Sequence, residues 1–111
     1  MDRSRISRRV AIAVDHPAFA GHFPGRPMLP GVALLADAME AAAADRSLAS
    51  AIGPAPRLSV VKFLAPVAPG AALDIELLLE ARAVSFRIEV GGRAVATGQF
   101  ARIDVAPGAA P

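Results

Sequence analysis

The chain has 111 residues, no cysteine, a formal net charge of +2 and 54% hydrophobic residues. This length predicts one domain, the lack of cysteine excludes disulfides and thiolate metal sites, and two histidines with scattered carboxylates make a poor metal-binding set. No apolar run is long enough to cross a membrane and no secretory signal is visible, so we expect a cytoplasmic protein.

The N-terminal half of the chain predicts one strand and one long helix. Residues 8–14 alternate weakly and end at Asp-His-Pro, which is typical of a strand followed by a stop. Residues 15–30 are predicted to form a loop. Residues 32–47 are apolar on nearly all helical faces, which predicts a buried helix. Gly-Pro-Ala-Pro at 53–56 then breaks the chain.

The C-terminal half predicts strands joined by turns. The predicted strands cover residues 57–65, 72–81, 84–90 and 93–105. Within 72–81 apolar and polar residues alternate with a period of two, and Gly91-Gly92 is a signal for a two-residue hairpin. This order predicts an α+β architecture, an antiparallel sheet with a single helix on one face. We expect one domain over 1–105 and a disordered tail over 106–111.

Residues 21–31, Gly-His-Phe-Pro-Gly-Arg-Pro-Met-Leu-Pro-Gly, are the most informative stretch of the chain. Pro24, Pro27 and Pro30 each fix one backbone torsion and remove one N–H donor, so together they stiffen the loop. A stiff loop can hold the imidazole of His22 in one place near the start of a helix. Proton-transfer chemistry needs a histidine held in this way.

Residues 22–32 resemble the motif His-Phe-Pro-x-x-Pro-x-x-Pro-Gly-Val of the 3-hydroxyacyl-acyl-carrier-protein dehydratases of the FabZ and FabA type, including the smaller ApeI-like branch. Residues 61–63 and 66–70 resemble the next strand and turn of that family. The resemblance covers about residues 8–104. It implies the hotdog fold, in which an antiparallel sheet wraps around one long central helix.

The resemblance implies dehydration of a 3-hydroxyacyl thioester to the trans-2-enoyl thioester. His22 matches the catalytic base that takes the proton from C2, and Gly31 matches the glycine whose backbone N–H binds the thioester carbonyl. The first N–H groups of a helix lack partners and lie at the positive end of its dipole, so they can stabilise the charge that builds on this oxygen. Phe23, Pro30 and Val32 are predicted to bind substrate, although Phe23 also fits a packing anchor.

The acid of the family is the part of the site that departs from the pattern. These dehydratases carry Glu or Asp fourteen residues after the histidine, where this chain has Ala36. We predict Asp37 as the acid, on the hypothesis that a wide turn over residues 33–37 absorbs one inserted residue, because in a regular helix Asp37 points about 100° away. Glu40 is a weaker candidate, since it lies more than about 5 Å farther along the helix axis. A degenerate partner subunit without an acid is the alternative.

No metal or redox cofactor is predicted, because a pair of proton-transfer groups and a helix dipole suffice. By resemblance, the substrate is carried on the phosphopantetheine arm of acyl carrier protein. Such carriers are acidic, so a docking face is predicted from basic residues, namely Arg3, Arg5, Arg8, Arg9, Arg26, Arg57 and Lys62.

The apolar content favours a homodimer or higher oligomer. No aromatic residues are interleaved with the N-terminal arginines, so nucleic acid is not expected as a partner. A thioesterase of the same fold is the alternative activity.

Overall fold

The computed structural model describes residues 5–13 and 31–105. In this part of the chain the helices are α1 (Gly31–Ala43) and α2 (Arg46–Ile52), and the strands are β1 (Arg5–Ala11), β2 (Leu58–Phe63), β3 (Ala72–Leu79), β4 (Ala83–Val90) and β5 (Arg93–Ala101). The predictions for the histidine loop and for the tail at 106–111 lie outside the described residues.

The five strands form one antiparallel sheet in the order β1-β3-β4-β5-β2, so β1 and β2 lie at its edges. The period of two predicted for β3 is confirmed, because Leu73, Ile75 and Leu77 are buried and the residues between them are partly exposed. Gly91 and Gly92 form the predicted turn between β4 and β5, with φ values of 59° and 83°. Positive φ at both central residues is what a type I′ hairpin turn requires.

Both helices lie on the sheet and bury its apolar face. α1 contacts β3 and β4, and α2 contacts β4. Ala38, Ala41 and Ala42 of α1 are buried, and their small side chains let the helix approach the strands closely. No polar or charged side chain among residues 5–13 and 31–105 is buried, so apolar packing dominates this core. The α+β class predicted from the sequence is therefore confirmed.

The single helix predicted over residues 32–47 is wrong, because the chain forms two helices there. Asp45 has an extended backbone (φ −106°, ψ 125°), and its side chain accepts a hydrogen bond of 2.9 Å from the Leu48 N–H. Aspartate is among the residues most favoured at such a cap position, since it satisfies one of the unpaired N–H groups of the first helical turn. Residues 45–47 are polar, and such a run fits the end of one helix as well as the start of the next, so the cap was not predicted.

Two smaller differences concern the ends of strands. β1 begins at Arg5 and ends at Ala11, whereas the prediction placed it at 8–14, and β5 ends at Ala101 and not at 105. Neither helix in the described part of the chain is long and apolar enough to cross a membrane.

Replacing Asp45 with alanine is expected to lower the free energy of unfolding by about 1 kcal/mol, because the Leu48 N–H loses its acceptor. Urea denaturation followed by circular dichroism measures this change. Asp45→Asn is the matched control, since it keeps an acceptor oxygen at the cap without the charge. An equal loss in both variants would show that the charge, and not the cap, stabilises α2.

Candidate active site

One face of α1 is exposed and mostly apolar. It carries Val32, Ala36, Met39, Glu40 and Ala43, which recur at spacings of three and four and are all exposed. Val32 exposes 74% of its surface and Met39 exposes 37%. The prediction of a helix buried on nearly all faces is therefore wrong for the single chain. This face is open to a ligand or to a second chain.

A groove with a volume of about 800 Å³ runs along this face of α1. Ala36, Met39, Glu40 and Ala43 line it, and its other walls include Ile52, Pro54, Pro56 and Ile103. Glu40 is the one ionisable side chain among the described residues that line the groove. A concave, largely apolar site of this volume with few polar groups is typical of sites for small ligands.

The Ile103 wall of the groove is held by polar contacts on both sides. The Ile103 N–H donates to the Ala51 carbonyl of α2 at 2.7 Å. The neighbouring Arg102 guanidinium donates to the Glu80 carbonyl at 2.8 Å and to both carboxylate oxygens of Asp104 at 2.8 and 2.9 Å. The hydrogen bonds from Arg102 also hold the pKa of the Asp104 carboxyl below its usual value. The segment after β5 is therefore fixed against α2 and against the connection between β3 and β4.

α1 is a regular α-helix from Gly31 to Ala43, so the wide turn predicted over residues 33–37 is wrong. Because the helix is regular, Asp37 lies about 100° around the axis from Ala36. Asp37 is half-buried and does not line the groove, whereas Ala36 and Glu40 both do. The role of Asp37 as the acid stays a prediction.

Gly31 is the first residue of α1, one residue before the predicted start, so its N–H is among those at the helix start that have no partner within the helix. Its lack of a side chain is required by Phe63, the last residue of β2. A Cβ atom at Gly31 would lie 2.7 Å from Cζ and 2.8 Å from Cε1 of the Phe63 ring. The ring therefore packs against the backbone at the start of the helix, while 52% of Phe63 stays exposed.

Sequence reasoning assigned Phe63 to a strand and gave it no role at the site. The contact joins an edge strand to the start of a helix that precedes it in the chain, and no local pattern reports such a contact. Val32 follows Gly31 on the exposed face, and its substrate-binding role stays a prediction. The other predicted site residues, His22, Phe23 and Pro30, lie outside the described residues.

The predicted docking side chains on the described segments are all exposed, namely Arg5, Arg8, Arg9, Arg57 and Lys62. Two of them form ion pairs across β1 and β3. Arg5 lies 2.8 Å from Glu76, and Arg9 lies 3.8 Å from Asp74. These acidic partners offset part of the positive charge of β1, so the basic character of this sheet edge is lower than the sequence predicts.

Gly31→Ala is expected to destabilise the fold by about 1 kcal/mol, because the new methyl group overlaps the Phe63 ring. Phe63→Leu shortens this side chain and should relieve the overlap. In a double-mutant cycle followed by urea denaturation, the two changes should couple by about 1 kcal/mol. Purely additive changes would mean that the ring does not pack on Gly31 in solution.

Comparison with known proteins agrees with this architecture. The family model for ApeI-like proteins, described as ApeI dehydratase, matches residues 1–99. A 3-hydroxyacyl-[acyl-carrier-protein] dehydratase FabZ of Rhizorhabdus wittichii is 38% identical over 81 residues, which are 66% of this chain and 50% of that protein. The FabZ of Thiobacillus denitrificans is 32% identical over 109 residues, 86% of this chain and 74% of that protein. The chain spans about half the length of the first curated relatives that it matches.

Solved structures define the fold, and the family model defines the family. The dehydratase heterocomplex ApeI:P from Xenorhabdus doucetiae superimposes with a TM-score of 0.72 and 25% identity over 90% of this chain and 88% of that one. An acyl-CoA hydrolase from Staphylococcus aureus has a TM-score of 0.65 but only 16% identity over 93% of this chain and 64% of that one, a likeness that shows the fold alone. The hotdog fold implied by the sequence is thus confirmed, with its helical layer divided into α1 and α2. Because the family model matches residues 1–99 of 111, the chain belongs to the ApeI-like dehydratase family.

Proposed function

We propose that this protein dehydrates a 3-hydroxyacyl thioester to the trans-2-enoyl thioester. The observation that carries the proposal is the position of Gly31 at the start of α1, on the same helix that lines the apolar groove. The helix start offers unpaired N–H groups to a thioester carbonyl, and the groove offers apolar surface to an acyl chain. Membership of the dehydratase family supports the same reaction.

In the proposed mechanism His22 removes the proton from C2 of the substrate. The electrons released from the C–H bond move toward the thioester carbonyl, and negative charge develops on its oxygen. The Gly31 N–H donates a hydrogen bond to this oxygen, where the helix dipole adds to the stabilisation. The 3-hydroxyl group takes a proton from a carboxyl group and leaves as water. As the C3–O bond breaks, the double bond forms between C2 and C3. The reaction transfers protons and releases water without an external oxidant or reductant, so the proposal includes no metal or redox cofactor.

The carboxyl group in this mechanism comes from α1. The sequence predicts Asp37, and the regular helix makes Glu40 its competitor. The proposed carrier of the substrate is acyl carrier protein with its phosphopantetheine arm, as the names of the FabZ relatives support. Lys62 is exposed on the edge strand β2, and Arg57 is exposed just before it. These two side chains are the proposed contacts for an acidic carrier. Cytoplasmic localisation stays a prediction.

We further propose that the active form is a homodimer in which β2 pairs with β2 of the second copy of the chain. β2 is an edge strand of the sheet. Large apolar side chains are exposed on β2 and just after it, with exposed fractions of 48% for Val60, 52% for Phe63 and 54% for Leu64. An exposed, apolar edge strand has unpaired backbone groups that can pair with another chain. The apolar side chains would be covered by the same pairing.

The central experiment follows enoyl formation and free thiol release on one substrate, a short 3-hydroxyacyl thioester presented on acyl carrier protein or on coenzyme A. We expect enoyl formation without thiol release, with a higher kcat/KM on the carrier protein. His22→Ala should lower kcat by about 10²- to 10⁴-fold because the base is lost. His16→Ala is the matched control, since the sequence assigns no role to the other histidine.

The alternatives have different outcomes in the same assay. Thiol release without enoyl formation would identify a thioesterase, which the likeness of the fold to an acyl-CoA hydrolase makes a real competitor. No product of either kind from the wild-type protein would identify a degenerate partner subunit. A His22→Ala variant as active as the wild type would contradict the proposed base.

Val60→Lys is expected to convert the dimer to a monomer, because a charge on the edge strand opposes pairing with a second copy. Sedimentation velocity measures the mass, and circular dichroism shows that the fold is kept. Ser7→Lys is the matched control, because Ser7 is exposed on β1, the opposite edge of the sheet. A monomeric wild-type protein, or a dimer that survives Val60→Lys alone, would contradict the proposed interface.

A further inference from the structure

The departure of the 3-hydroxyl group requires a proton donor that can reach the substrate in the groove. α1 carries two carboxylates, Asp37 and Glu40. Only Glu40 lines the groove, and it is exposed there, whereas Asp37 is half-buried outside it. Glu40 is therefore the carboxylate of α1 that a ligand in the groove would contact.

The spacing on the helix brings the Glu40 carboxyl group back toward Gly31. Ala36 and Glu40 are four residues apart, so they lie on one face in successive turns. Side chains on a helix lean toward its N-terminus and cover the surface above the preceding turn. Of the two residues that neighbour Glu40 in the preceding turn, Ala36 and Asp37, only Ala36 lines the groove, and its methyl group leaves that part of the groove to the longer side chain. The backbone of Glu40 lies about 6 Å farther along the helix axis than that of Ala36, and the length and direction of the glutamate side chain reduce this offset.

The surroundings of the two carboxylates differ as well. Glu40 makes no side-chain hydrogen bond or ion pair with the described residues, and the other groove residues from α1 are Ala36, Met39 and Ala43. Asp37 already has an interaction partner in the protein. A carboxylate that lies in an apolar groove and has no partner among residues 5–13 and 31–105 is available to a substrate.

We infer that Glu40, and not Asp37, is the catalytic acid, an inference that rests on the proposed dehydratase function. The Glu40 carboxyl group donates its proton to the 3-hydroxyl oxygen while the C3–O bond breaks, and water is released. His22 holds the proton taken from C2. Proton exchange through water then returns the histidine to its neutral form and the glutamate to its acid form, so the cycle balances without any further reactant.

Four variants test the inference in the dehydration assay. Glu40→Gln should lower kcat by about 10²-fold or more, because the amide cannot donate the proton, while KM changes little. Asp37→Asn should keep most of the activity. Glu80→Gln is the control for loss of an exposed carboxylate elsewhere. The double change Ala36→Glu with Glu40→Gln should regain activity, because it moves the carboxyl group one turn along the same face.

The regain of activity separates a chemical role from a structural one, since a residue needed only for folding would not be replaced from position 36. Circular dichroism and urea denaturation of each variant show whether it is folded. Wild-type activity in Glu40→Gln, or an equal loss in Asp37→Asn, would overturn the inference while leaving the dehydratase function intact. A wild-type protein that forms no enoyl product would overturn the proposed function itself.

Discussion

The close packing of α1 on the centre of the sheet is the contact on which the rest of the structure depends. Ala38, Ala41 and Ala42 of the helix are buried against apolar side chains of β3 and β4. Small side chains on this face bring the helix axis near the strands, and dispersion contacts and lost apolar hydration stabilise the pair. Because one face of α1 is committed to the core, the opposite face and its groove are directed outward.

The start of α1 is fixed by a second contact, and this contact links the core to the site. Phe63 reaches from the edge strand β2 to the backbone of Gly31, where its ring leaves no space for a side chain. The same strand carries the apolar surface proposed to meet a second copy of the chain. Dimer formation, the position of the helix start and the binding of the thioester carbonyl are therefore joined through one strand in the proposed arrangement.

The fold does not by itself select the reaction. A dehydratase heterocomplex and an acyl-CoA hydrolase share this architecture, so the chemistry must come from the side chains placed on it. Here the sequence motif that contains His22 and the glycine at the helix start support dehydration. The substitution of the expected acid by Ala36 leaves the groove open at that point, and a neighbouring turn of the helix supplies the nearest carboxylate on the same face.

The sequence by itself determined the order of the strands, the turn between β4 and β5 and, within one residue, the start of the helix. Alternation in β3 and the Gly91-Gly92 turn are local patterns, because side chains two apart share a face of a strand and a tight turn needs particular residues. The cap at Asp45 is also local, but the polar residues around it fit the end of a helix as well as the start of one. Only the tertiary structure decided which helical carboxylate lines the groove and that Phe63 packs on Gly31. Both depend on elements far apart in the chain, and the period of a single helix carries no information about what packs beside it.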